Sequence, residues 1–102
     1  TILSPGQAVV VFGGGTPTGS FGDALIFTSS NQALKLTNVW DVLTVKNSND
    51  STIFIFDITP LSDNPNESYT RSPDLSGDFV QHAGLNPGVL FSPGTKSDGS
   101  SF

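Results

Sequence analysis

The sequence predicts an all-β chain, and three observations carry that reading. Leu34 and Leu36 alternate with Lys35 and Thr37, Leu43 and Val45 alternate with Thr44 and Lys46, and a polar run from Asn47 to Ser51 then precedes the apolar, β-branched and aromatic stretch Ile53 to Ile58. That is the pattern of two half-buried strands joined by a turn. Eleven Gly and seven Pro punctuate the 102 residues, and no long apolar stripe of helical period intervenes. Short strands and many turns satisfy both facts.

Taken in order, Ser4-Pro5-Gly6 suits a tight turn, and Ala8 to Phe12 reads as a strand whose unbroken apolar run predicts burial on both faces. Gly13 to Gly22, with three consecutive Gly, reads as a flexible loop. Ala24 to Phe27 is a short apolar segment, strand or single helical turn. Leu34 and Leu36, then Leu43 and Val45, alternate with polar neighbours, and Ile53 to Ile58 supplies the return strand of a central hairpin. Its turn is longer than two residues, so Asn47, Asn49 and Asp50 are expected to provide the tight backbone angles. Trp40, inside this hairpin, is read as core. Residues 60–77 read as a long ordered loop with a short strand at Glu67 to Arg71. Phe79 to His82 is a further strand, followed by turns at Asn86-Pro87-Gly88 and Ser92-Pro93-Gly94-Thr95.

Length bounds the chain to a single domain, 1–102, burying roughly 60–65% of its unfolded surface. Nine acidic residues against Lys35, Lys46, Arg71 and Lys96 give a net charge of −5. Phosphate-backbone binding needs clustered cations, and these four are scattered, so generic nucleic-acid binding is disfavoured. The absence of Cys removes disulfides and thiolate chemistry. No apolar run of membrane-spanning length or signal-peptide pattern is present, so no membrane insertion is expected. Only 13% of residues are charged, which leaves solubility to Ser, Thr, Asn and Gly and leans toward an exported protein.

Candidate chemistry is sparse. The loop 14–20 has the glycine spacing of a phosphate cradle, but Ser20 stands where the lysine is required, and a plain glycine-rich loop is preferred. His82, the one histidine, could act as a base toward Ser or Asp. Without a nucleophile-elbow motif it is read as a surface or strand-end residue. Asp63, Asn64, Asn66 and Glu67 form an oxygen-rich group resembling a calcium site, yet Pro65 interrupts any EF-hand spacing, and a solvated acidic turn is the preferred reading. Asp41 and Asp57 lack any second mark of a paired-carboxylate hydrolase. Arg71, close to Asp74 and Asp78, is read as an ion pair fixing the long loop ahead of a ligand contact. Tyr69, in polar surroundings, is the better candidate for an exposed stacking face. The contact residues singled out are therefore Tyr69, Arg71, Asp74, Asp63 and Glu67, with no catalytic residue, metal or cofactor assigned.

Several separated stretches resemble the lamin tail domain. They are Leu3-Ser4-Pro5-Gly6-Gln7 with Val9-Val10-Val11, then Leu34 to Asp41 with Leu43-Thr44-Val45, then Arg71-Ser72-Pro73-Asp74 with Gly77, and finally Phe91-Ser92-Pro93-Gly94-Thr95. Trp40 stands where that family usually has glycine. The resemblance implies an immunoglobulin-like β-sandwich of the lamin-tail type. The family's opening strands would precede Thr1, so it also implies an incomplete sandwich completed by a second chain, a homodimer or strand swap. It further implies a non-catalytic interaction or attachment module of an exported or cell-surface bacterial protein. The alternative it offers is a nucleic-acid-contacting accessory domain of a nuclease or other hydrolase.

Overall fold

The residues described in the computed structural model are 2–37, 39–61 and 66–102. Among them the regular structure is all-β, with six strands, two short 3₁₀ turns and no α-helix. The strands are β1 (Val9–Phe12), β2 (Leu25–Thr28), β3 (Val42–Lys46), β4 (Thr52–Asp57), β5 (Tyr69–Ser72) and β6 (Asp78–Gln81). They pair as three two-stranded sheets, β1 with β2, β3 with β4 and β5 with β6. The 3₁₀ turns are Thr59–Leu61 and His82–Gly84. Two compact units result, one from Thr1–Lys35 with Asn66–Phe102, the other from Leu36–Pro65.

In the first unit, Ser4-Pro5-Gly6 forms the expected turn, with the Gln7 N–H donated to the Ser4 carbonyl at 3.0 Å. Gly6 sits at φ 80°, the angle that type II turns demand after proline. The chain then enters β1, which pairs in parallel with β2, Val9 opposite Leu25 and Phe12 opposite Thr28. Parallel pairing requires a crossover of about a dozen residues, and the glycine-rich segment 13–24 supplies one without a helix. The expectation of a strand or helical turn at Ala24–Phe27 resolves to a strand. Burial of β1 on both faces does not hold: Val9 and Val11 are exposed while Val10 and Phe12 are half-buried. Phe12 meets Phe21 edge to face, centroids 5.3 Å apart, so the crossover loop packs against one face of the strand.

Strands β5 and β6 form the antiparallel ladder Tyr69–Gln81, Thr70–Val80, Arg71–Phe79 and Ser72–Asp78. The strand expected near Glu67–Arg71 is thus displaced toward Ser72, and β6 ends one residue before His82. The turn between them is fixed by the Gly77 N–H donated to the Pro73 carbonyl at 2.8 Å.

The second unit is the hairpin of β3 and β4. Its register runs from Val42 opposite Asp57 to Lys46 opposite Thr52, with an irregularity between Val45 and Lys46. Of Asn47, Asn49 and Asp50, expected to supply the tight backbone angles, Asp50 alone does so, and Asn47 acts through its side chain. The Asn47 side-chain carbonyl accepts the N–H groups of Asn49 and Ser51, each at 3.0 Å, and Asp50 takes the left-handed angle at φ 63°. Lys46 and Asp50 form an ion pair at 3.0 Å across it. The expected earlier arm at Leu34–Thr37 is not a strand, because Lys35 at φ 55° leaves the extended region. Ahead of β3, the Asp41 carboxylate accepts the N–H groups of Thr37 at 3.0 Å and Val42 at 2.8 Å, and the Thr37 hydroxyl bonds the Trp40 carbonyl. Trp40 is 63% exposed, which corrects its reading as core.

Among the described residues no apolar side chain is fully buried, and the one fully enclosed side chain is His82.

Candidate functional site

The C-terminal half of the first unit is assembled around His82. Its backbone N–H extends the β5–β6 ladder by bonding the Ser68 carbonyl at 3.0 Å, and its own carbonyl accepts the N–H of Leu85 at 3.0 Å and of Asn86 at 3.1 Å. Ser68 in turn donates its N–H to the Leu90 carbonyl at 2.9 Å. These bonds fold the segment after β6 back beside β5, which places Val89 and Ser92 on either side of the imidazole. Nδ1 lies 2.9 Å from the Val89 carbonyl oxygen and Nε2 lies 2.8 Å from Ser92 Oγ. A carbonyl oxygen only accepts, so the ring proton is assigned to Nδ1, and Nε2 accepts the Ser92 hydroxyl. Of the expected surface or strand-end position, the strand end holds, since His82 directly follows β6, and the surface does not, since the side chain is buried. A buried imidazole with both nitrogens bonded costs little desolvation, and the turns at Asn86–Val89 and Ser92–Thr95 bring the partners to it.

Ser92 belongs to a turn closed by Thr95, whose N–H and hydroxyl both reach the Ser92 carbonyl at 3.2 Å. Two clefts border it. One, of about 660 Å³, is lined by Phe21, Asn86, Val89, Phe91 and Asp98 among others; the second, about 350 Å³, by Ser68, Tyr69, Thr70 and Pro93. Phe91, on both clefts, is 64% exposed.

Four of the five contact residues expected from sequence lie among the described residues, on β5, on the β5–β6 turn and just before β5. Tyr69 opens β5 and is half-buried, more enclosed than its polar neighbours suggested. Arg71 donates from Nη1 to the Gly77 carbonyl at 2.8 Å and its guanidinium stacks over Phe79 at 4.6 Å from the ring centroid. The register explains this, since Arg71 and Phe79 face each other across the ladder; guanidinium-on-ring contacts of this kind are favourable. Asp74 receives the Ser97 N–H at 3.2 Å and the Ser97 hydroxyl at 3.4 Å, tying the β5–β6 turn to the C-terminal segment. Glu67 accepts the Ala83 N–H at 2.8 Å, satisfying an amide at the start of the 3₁₀ turn. Arg71, Asp74 and Glu67 thus fasten loops to the hairpin. Asp63 and Asn64, the other half of the oxygen-rich group, lie outside the described residues.

Farther along, the turn at Lys96–Ser100 is closed by the Lys96 N–H to the Ser100 carbonyl at 2.8 Å. Asp98 accepts the Ser100 hydroxyl at 2.6 Å and its N–H at 2.9 Å, and these bonds hold its carboxyl below the ordinary 3.8. Asp57 is lowered in the same way by the hydroxyl and then the N–H of Thr59.

Sequence reasoning named His82 but missed Ser92. Its signal was weak: a Ser-Pro-Gly turn beside an apolar pair, ten positions from the one imidazole. No family model matches the chain, and no curated protein or solved structure matches it. The class that fold and geometry define is therefore the coarse one, an all-β protein of paired short strands whose loops converge on a buried histidine. Among the described residues no helix is long and apolar enough to cross a membrane.

Proposed function

We propose that this chain is an interaction and attachment module of an exported or cell-surface bacterial protein, an immunoglobulin-like sandwich of the lamin-tail type that associates with a second copy of itself. The observation that carries the self-association is the openness of the β3–β4 hairpin. By its register, Val42, Ile53 and Ile55 share one face and are 54%, 65% and 60% exposed, while Leu43 and Val45 on the other are also exposed. Apolar surface of this kind is stabilised by removal from water at about 25 cal/mol per Å², and a lone two-stranded hairpin is marginal by itself. A second copy fits because the exposed face is mostly aliphatic: beside Val42, Ile53 and Ile55 its one charge is Asp57, opposite Val42 at the end of the ladder, while Lys46 and Asp50 neutralise each other in the turn. Among the described residues each sheet has two strands, and open sheet edges favour strand-to-strand pairing between chains.

The family reading rests on the resemblance and on where its residues fall. Ser4-Pro5-Gly6 and Ser92 to Thr95 close turns, and Arg71 to Gly77 forms a hairpin tip fastened by the arginine. The low charge content supports an exported setting, and the role is contact with partners, without turnover.

Replacing Ile53 and Ile55 together by lysine tests the interface. Both side chains are exposed, so the hairpin should keep its circular-dichroism signature while the mass by light scattering falls from twice 10.7 kDa to 10.7 kDa. An unchanged mass would remove this face from the interface.

A further inference from the structure

The His82–Ser92 pair has a geometry that an interaction role does not require. His82 is fully enclosed, whereas Ser92 is half-buried and forms part of the wall of the 660 Å³ cleft. With its proton on Nδ1 and that proton given to Val89, the imidazole presents a lone pair at Nε2, 2.8 Å from Ser92 Oγ. A hydroxyl within hydrogen-bond reach of a base, the base itself oriented by a third group, is the arrangement that activates a serine. Here a backbone carbonyl takes the orienting place usually held by a carboxylate. Enclosure keeps water from competing for Nε2.

We propose that Ser92 is a nucleophile that takes up an acyl group from activated carboxylic esters entering this cleft. Oγ forms a bond to the ester carbonyl carbon while the hydroxyl proton passes to His82 Nε2. The adduct collapses, the bond from that carbon to the leaving oxygen breaks, and the departing alcohol or phenol recovers the proton from His82. The products are an acyl ester on Ser92 and the free alcohol.

The surroundings set the scope. In hydrolases with a nucleophile elbow, the N–H of the residue after the serine helps hold the developing oxyanion. Pro93 has none, and the Thr95 N–H is committed to the Ser92 carbonyl. The reaction is therefore confined to esters with good leaving groups, and release of the acyl group is slow, so the acyl-serine accumulates. Phe21, Val89 and Phe91 on the cleft wall suit a short apolar acyl or aryl group. The outcome is covalent capture, which is compatible with attachment.

Treating the folded protein with p-nitrophenyl acetate, and separately with an alkyl fluorophosphonate, followed by peptide mass spectrometry, tests this. The expected result is a stoichiometric burst of nitrophenolate with a single adduct on Ser92. That adduct is absent from S92A and from wild-type protein unfolded in guanidinium. H82Q, which keeps a polar side chain at the position, should slow labelling at least ~100-fold. Folded wild-type protein that carries no adduct on Ser92, or carries adducts spread evenly over other hydroxyls, would overturn the proposal whether or not H82Q folds.

Discussion

Gly77 shows how much one position decides. A methyl group on its Cα would collide with the backbone carbonyl of Ser72 and with the Pro73 nitrogen, at the point where its own N–H and carbonyl bind Pro73 and Arg71. Gly77→Ala should therefore destabilise the chain by about 2–3 kcal/mol, the cost of forcing atoms into a packed site. Gly84→Ala, where the added carbon meets nothing within 4 Å, should stay within about 0.5 kcal/mol. Urea titration of both variants measures the difference; equal losses would contradict the packing described around Gly77. Gly77 is legible in the sequence as a turn residue, but the crowding is not, because it arises from the path that Ser72 and Pro73 take. His82 teaches the same lesson in reverse. One histidine after a short strand carries no mark of burial, and its enclosure depends on two turns that return Val89 and Ser92 to it.

At the scale of elements, turns were read more accurately than strand faces. Ser4-Pro5-Gly6 and the Asn47–Asp50 turn follow from local chemistry, proline presetting φ and Asn or Asp bonding the backbone two residues on. The faces of β1 depend on what packs there, and an apolar run alone does not reveal that only Val10 and Phe12 turn inward. The Lys96–Ser100 turn makes a prediction of its own. Because Ser100 lowers the Asp98 carboxyl below the ordinary 3.8, the unfolded chain binds the proton more readily. The turn's contribution is present above pH 3.8 and is lost as pH falls through the lower folded value. Asp57, lowered by Thr59, acts with the same sign. Thermal melts from pH 7 down to pH 3 should show falling stability, less steeply in Asp98→Asn. Identical slopes in the two proteins would mean that the Ser100 bonds do not persist in solution.

For the whole molecule, the all-β class was plain from alternation and glycine–proline content, whereas the pairing was not. A parallel β1–β2 pair joined by a helix-free crossover has no local signature, since the residues that pair, Val9 with Leu25 to Phe12 with Thr28, are linked only by tertiary structure. The balance of burial is likewise a property of the whole. With His82 enclosed and Val42, Ile53, Ile55 and Phe91 exposed, the molecule presents apolar surface that a partner would cover. The proposed association with a second copy would couple folding to concentration. The decisive measurement is the melting temperature over two decades of protein concentration, with the mass determined on the same samples. Self-association predicts a species of twice 10.7 kDa whose melting temperature climbs steadily with concentration. A species of 10.7 kDa whose melting temperature does not move would contradict it, and the exposed hairpin would then need a partner of another kind.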